Sequence, residues 1–366
     1  MSDPDEIAAT RRAQRPVHPL TIDPQNMLGA VRELPTQLST GWERARRFRL
    51  PDAYRHPKGV AIVGMGGSAI AADLIGAIAS RRLTVPLVVV RDYALPAWVG
   101  PETLVIGSSF SGNTEETLAA WDAARARGAL RLAITSGGAL LERARAEGTP
   151  IVPLPGRGQP RAALGHSVTR ILGVLWAAGL VDDPGPSLAT ATTLMRALVA
   201  SAGEGTDPAV SPSALAERLV GRIPLIWASD DMAPVAGRWR AQLNENAKVF
   251  AASASIPEAS HNAIEGFGAP AEALALLYVI VLTGDAVDER IERRIAAMVG
   301  LLDRAGIART VLRAPGGGRL AESLWLVQYG DLVSVYLAYR YGIDPSAIPA
   351  IERLKADLAG RADATM

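Results

Sequence analysis

The sequence predicts an α/β protein built as two doubly wound parallel-sheet halves, each with helices on both faces. Three observations predict it. A β-branched run at residues 59–63 ends in a glycine turn that opens a helix, the same strand–turn–helix grammar repeats to residue 154, and the alternation restarts beyond a Pro- and Asp-rich break at 182–187.

In chain order, Gly59 to Val63 (GVAIV) reads as a buried strand, Gly64-Met65-Gly66-Gly67-Ser68 as a tight turn and Ala69 to Ala79 as a helix. Strands follow at Pro86 to Val90 and Thr103 to Ser108, and the second leads through Ser108-Ser109-Phe110-Ser111-Gly112-Asn113-Thr114 into a helix over Glu115 to Arg127. Leu130 to Thr135 is a strand, Ala139 to Ala146 a helix and Ile151 to Leu154 a strand; a helix-rich stretch from Arg161 to Leu180 closes this half. Asp182 to Ser187 reads as a linker. Beyond it come a helix at Pro212 to Leu219, a strand at Ile223 to Ala228, a helix at Val235 to Asn246, a buried strand within Ala273 to Thr283, a helix at Asp288 to Ala305 and a strand at Ile307 to Leu312. The expected organisation is a leader over residues 1–40, a first domain over 41–183 and a second over 184–366.

Composition narrows the function classes. The 366 residues are 49% apolar and 20% charged, with a net charge of +1, which points to a globular protein without a nucleic-acid or membrane-surface partner. Cysteine is absent, so disulfides, a thiolate nucleophile and zinc–thiolate sites are excluded. No His-x-His or His-x-x-Glu cluster suggests a metal. The longest apolar runs fall short of the roughly 20 residues that cross a bilayer. The first 25 residues mix charges without an apolar stretch and read as a loosely docked leader rather than a secretory signal, so a cytoplasmic location is expected.

Parallel sheets bind ligands beyond the carboxyl ends of their strands. Two segments of the first half meet that description. Gly66 and Gly67 permit close backbone approach, and Ser68 can cap the helix or donate to a ligand. Around the Gly112-Asn113 turn, Ser109, Ser111 and Thr114 add three hydroxyls at a helix N-terminus, an arrangement suited to a phosphate monoester; an ordinary N-cap with spare serines is the plainer alternative. Neither segment carries a Walker signature or a dinucleotide fingerprint, and no cofactor is expected.

The Ser-x-Ser-Gly-Asn-Thr pattern, with the earlier Gly-x-Gly-Gly-Ser turn, resembles the sugar isomerase (SIS) domain, a phosphosugar-binding α/β module. Asn244-Glu245-Asn246-Ala247-Lys248, Pro257-Glu258-Ala259-Ser260-His261-Asn262, Ile351-Glu352-Arg353-Leu354-Lys355 and Pro160-Arg161-Ala162-Ala163 extend the likeness beyond that domain. Together they resemble the bifunctional phosphoglucose/phosphomannose isomerase family from about residue 40 onward. That resemblance implies two SIS-type halves and interconversion of glucose or mannose 6-phosphate with fructose 6-phosphate. It makes Glu245 the base between C2 and C1, Arg161 the cation beside the enediolate, and His261 with Lys355 the ring-opening pair. Gly66, Gly67, Ser68, Ser109, Ser111 and Thr114 would hold the substrate, and a homodimer would bring His261 across the interface. Phe110 stands where the family often has Tyr, and the leader and the Gly203 to Pro212 loop look like additions.

The chemistry asks for the same kinds of group. Aldose–ketose isomerisation needs a base over C1–C2, a cation for the enediolate oxygen and an acid/base pair for the ring. Plainer readings are a solvated helix face for Glu245, a surface position for Lys355 and a cap for His261; His18, His56 and His166 read as structural. Alternatives in function are another SIS enzyme, an aminosugar isomerase or etherase, and a non-enzymatic phosphosugar sensor. The sensor is disfavoured because the leader lacks a basic helix-turn-helix character.

Overall fold

Runs of Val, Ile and Leu too apolar to leave either face in water become the central strands of two parallel sheets in the computed structural model, which describes residues 22–156, 158–202 and 211–363. The first sheet, ordered β2-β1-β3-β4-β5, contains β1 (Gly59–Val63), β2 (Leu87–Val90), β3 (Thr103–Ser109), β4 (Leu130–Thr135) and β5 (Ile151–Pro153). The second, ordered β7-β6-β8-β9, contains β6 (Ile223–Ser229), β7 (Ala252–Ile256), β8 (Leu277–Thr283) and β9 (Ala308–Arg313). All their pairings are parallel. The α/β class with two parallel sheets is as expected.

In the first part of the chain the helices are α1 (Met27–Arg32), α2 (Leu34–Ala45), α3 (Gly66–Ala79), α4 (Glu115–Ala126), α5 (Gly138–Ala146), α6 (Leu164–Ala177) and α7 (Gly185–Ser201). In the second they are α8 (Pro212–Arg218), α9 (Ala233–Asn246), α10 (Ala271–Leu274), α11 (Glu289–Arg304), α12 (Arg319–Arg340) and α13 (Pro349–Asp363). Among the described residues no helix is long and apolar enough to cross a membrane.

Two expectations are corrected, and one strand was not expected. The leader is not separate from the fold over its described part: Met27, Val31, Leu34 and Leu38 on α1 and α2 are buried, because their apolar faces close the core against α6, α7 and α12. Residues 1–21, with His18, lie outside the described residues, as do 203–210 of the expected loop insertion. The expected linker ends in the first turn of α7, where Pro at the helix start fixes a helical φ. Strand β7 had no expectation at all; its Ala-Ser-Ala-Ser-Ile sequence lacks the apolar run of its neighbours, and it is an edge strand.

One hydrophobic cluster runs from Met27 and Leu38 through Ile62 and Leu104 to Ile226, Ile280 and Leu332, so the two sheets share a core. We propose the division between residues 183 and 184 as the point where the chain passes from the strands of one sheet to those of the other. At the seam, Arg238 on α9 makes a two-pronged pair with Asp331 on α12, at 3.0 and 2.7 Å, with both side chains buried. Burial pushes the Asp331 carboxyl up and the guanidinium pulls it back.

Asp331→Ala leaves Arg238 buried without its counter-charge. Urea unfolding should show a loss of about 3–5 kcal/mol, the scale for breaking one side of a buried pair. An unchanged midpoint and slope would contradict this role for the pair.

Candidate active site

The glycine turns that follow β1 and β3 open at the carboxyl edge of the first sheet. Gly66, at φ 51, begins α3, a left-handed backbone that glycine adopts freely. Helix α3 therefore starts earlier than expected. Met65 is its N-cap and Ser68 lies inside the first turn, buried, so the expected capping role for Ser68 is corrected and its hydroxyl is not used as a cap.

The second loop is held by its own hydroxyls. Ser109 Oγ and Thr114 Oγ1 are 2.8 Å apart, the Gly112 N–H donates to Ser109 Oγ at 3.0 Å, and the Asn113 N–H donates to Ser111 Oγ at 3.2 Å. Thr114 is the N-cap residue of α4, yet its side chain does not cap the helix. The plain N-cap alternative is thereby set aside: the helix N-terminus keeps N–H groups available to an anion. Gly112, at φ 71, passes so close to Gly137 that a Cβ would sit 1.7 Å from its carbonyl oxygen, so only glycine closes this loop.

Gly67 touches the third component. A Cβ at Gly67 would lie 3.2 Å from the Pro160 carbonyl oxygen, in the 3₁₀ turn Pro160–Ala162 that carries Arg161. Gln37 of α2 holds that turn, donating to the Ala162 carbonyl at 2.7 Å and accepting from the Gly165 N–H at 3.2 Å.

Arg161 is 6% exposed. Its Nε donates to Asn246 Oδ1 at 2.8 Å, and Nη2 donates to the carbonyls of Pro345 and Ser346 at 2.6 and 2.9 Å. Nη1 lies 4.0 Å from Glu245 Oε2. Burial pulls this guanidinium below its ordinary value and the Glu245 charge pulls it back up. Glu245 itself is part-exposed and lines an open cleft of about 580 Å³ with Arg240, Asn244, Phe250 and Ile351.

The direction of α9 explains this meeting. Helix α9 follows β6 and runs back along it, so its C-terminal residues Glu245 and Asn246 arrive at the amino edge of the second sheet. Arg161 bridges that edge to the loops at the carboxyl edge of the first sheet.

His261 and Lys355 are not brought to this cluster by hydrogen bonds or ion pairs among the described residues. His261 is exposed, in the 3₁₀ turn Glu258–His261 beyond the carboxyl end of β7, whereas Glu245 precedes the amino end of the same strand. The four steps from Ala252 to Ile256 alone span about 13 Å at the usual rise. Lys355 is exposed on α13, one turn beyond the cleft-lining Ile351. His166 is half-buried in α6 and His56 lies in a loop.

Two residues were not singled out from the sequence. Asn246 is fully buried, accepts from Arg161 and donates to Ser334 Oγ at 2.9 Å. Lys248, at φ 56 just past α9, donates to the carbonyls of Glu245, Asn246 and Asp344 at 2.8, 3.2 and 2.9 Å. It thus fixes the turn that presents Glu245. The segment Asn244 to Lys248 stood out as a motif, but which members face inward depends on the end of α9, which periodicity does not locate to the residue.

Residues 210–358 match the family described as bacterial phospho-glucose isomerase C-terminal SIS domain. The chain is 37% identical to a bifunctional phosphoglucose/phosphomannose isomerase of Aquifex aeolicus, covering 82% of this chain and 90% of that protein. It is 34% identical to one of Caldicellulosiruptor bescii, over 91% of this chain and 99% of the relative. A D-glucosamine-6-phosphate 4-epimerase of Sulfolobus acidocaldarius is 30% identical over 63% of this chain and 70% of its own length. Among solved structures, a hypothetical protein of Thermus thermophilus superposes with TM-score 0.73 at 19% identity, covering 98% of this chain and 95% of that one, a likeness of fold.

Burial, and then the neighbouring Arg161 charge, hold the Lys248 ammonium down to about 8. Above that pH the folded chain releases the proton while the unfolded chain keeps it up to the ordinary lysine value of about 10.4, so stability rises with pH through this window. Lys248→Met should lose that rise: comparing urea midpoints at pH about 7 and about 9.5, wild type should gain on the variant. A pH-independent difference would contradict the perturbed ammonium.

Proposed function

The chain belongs to the bifunctional phosphoglucose/phosphomannose isomerase family, and from that premise we propose that it interconverts fructose 6-phosphate with glucose 6-phosphate and mannose 6-phosphate by proton transfer through an enediolate. The observation that carries this reading is the meeting of Glu245 with the buried Arg161 guanidinium at 4.0 Å, on an open cleft. A carboxylate that takes a proton from one carbon and returns it to the next needs its oxygens free, and among the described residues the Glu245 carboxylate has only the Arg161 guanidinium at 4.0 Å. Arg161 supplies fixed positive charge where the enediolate oxygen develops, in surroundings too dry for water to screen it.

In this reading the phosphate lies on Ser109, Ser111 and Thr114 at the start of α4, with Gly66, Gly67 and Ser68 against the sugar. His261 and Lys355 open and close the ring. Because His261 stands beyond the far end of β7 from Glu245, we assign it to the site of a second copy in a homodimer. Ile351, Leu354 and Leu358 on α13, with Phe250, leave apolar side chains exposed beside the Glu245 cleft, which supports a partner there. The enzyme is assigned to the cytoplasm, where hexose phosphates of glycolysis and gluconeogenesis are handled, with no cofactor.

A coupled assay with the three hexose phosphates and glucosamine 6-phosphate tests the substrate class. Activity confined to glucosamine 6-phosphate would replace this reading by an aminosugar enzyme. For the phosphate loop, Ser109→Ala with Thr114→Ala should raise KM strongly and keep most of kcat, since contacts made equally in ground and transition states are lost. With circular dichroism confirming the fold, an unchanged KM would remove the loop from the site.

Assembly is tested by mixing inactive Glu245→Gln and His261→Ala proteins. Random exchange gives half heterodimers with one intact site in two, hence recovery of about a quarter of wild-type activity. Verified heterodimers that stay inactive would contradict the shared site.

A further inference from the structure

Away from Glu245, a cleft of about 310 Å³ opens where α2 and α6 pass the end of β5, and it gathers positive charge without an answering carboxylate. Arg44 and Arg47 stand on its rim and Arg170 forms one wall. Phe48, Val152 and Leu154 make the floor apolar.

Arg170 is 3% exposed. Its Nε donates to the Pro153 carbonyl at 3.3 Å and its Nη1 to the Gly41 carbonyl at 3.1 Å and to Thr169 Oγ1 at 3.3 Å, while Nη2 makes no hydrogen bond among the described residues. Neither Arg44, Arg47 nor Arg170 forms an ion pair with a described Asp or Glu; the nearby Glu43 pairs with Arg46 instead. A buried charge whose partners are all neutral carries a desolvation cost that an anion would relieve.

The field is visible on its neighbours. Burial first, and then the Arg44 charge, bring the Arg170 guanidinium down to about 10. His166, one turn earlier on α6, is held down to about 4 by burial and then by Arg170 and Arg44, so it stays neutral and its buried Nδ1 has no hydrogen-bond partner among the described residues. No acidic residue contributes to either shift.

We propose that this cleft is a second ligand site, separate from the Glu245 cluster, which takes a small organic anion. Its phosphate or carboxylate group would sit on Arg44, Arg47 and Arg170, and its carbon body on Phe48, Val152 and Leu154. Guanidinium forks match the paired oxygens of both anions. The floor adds a second criterion, since an apolar wall of this size favours a ligand with a body over a bare ion.

Phenyl phosphate is the probe, with inorganic phosphate as its control lacking the carbon body. Calorimetric titration of the full-length wild type is compared with Arg44→Gln/Arg47→Gln, a variant at two exposed rim positions whose hexose phosphate isomerisation and thermal midpoint should be unchanged. Any binding at the Ser109 loop is common to both proteins, so their difference reports the cleft. The variant should lose one phenyl phosphate per chain, or bind it at least about tenfold more weakly, as expected for removing two charge-assisted contacts. Identical titrations would overturn the site. Inorganic phosphate binding the cleft as tightly as phenyl phosphate would overturn the assignment of an organic ligand.

Discussion

The guanidinium of Arg161 reaches from a turn of the first half into the second, and a charge so nearly excluded from water holds its place only if every neighbour is set to receive it. Asn246 and the carbonyls of Pro345 and Ser346 do so from three directions. The turn that carries it is clamped in return, through its own carbonyl by Arg238 at 2.7 Å and through Ala162 by Gln37. Arg238 is anchored by Asp331, so α2, α9 and α12 are tied to one position. Most of the cost of burying Arg161 is met by structure, and what is left over is an orientation: Nη1 points toward Glu245.

That orientation matters for the proposed reaction, which draws on both sheets. The first presents the carboxyl ends of its strands, where glycine turns and helix N-termini suit an anion. The second presents the C-terminus of α9, a poor place for an anion by helix dipole alone. Lys248 offsets this by donating to the last carbonyls of the helix, and Arg161 adds its charge from the other side. In the proposed reaction Glu245 carries the proton beside the guanidinium that faces the developing oxygen charge.

Much of this was legible in the sequence, and the limits have physical reasons. Strands β1 and β3 end in glycine turns and are buried along their whole length, so their apolar runs marked them. Helix α12 gave no periodic signal because it is buried nearly all round, with Gln328, Asp331 and Ser334 inside among its apolar residues. Helix α2 was hidden in an apparently loose leader for a related reason: the pattern Leu34, Leu38, Trp42 becomes meaningful only against a partner helix. At the site, motifs identified Arg161 and Glu245, which meet, but gave no account of Asn246 or Lys248, whose roles follow from how α9 ends. His261 and Lys355 came with the family resemblance, which also implied the homodimer, and among the described residues neither makes a hydrogen bond or ion pair to Glu245.

Everything turns on whether Glu245 is the proton carrier. Glu245→Gln preserves the shape of the side chain but cannot accept a proton, so binding of fructose 6-phosphate should persist while kcat falls by about 10²–10⁴-fold. The direct measurement is exchange of solvent deuterium into substrate at C1 and C2, followed by NMR in wild type and variant under equal saturation. Exchange is expected in the wild type, with near-complete loss of it in Glu245→Gln. Exchange at the wild-type rate in the variant would contradict it, and the base would then have to be one of Glu258, Glu265 or His261.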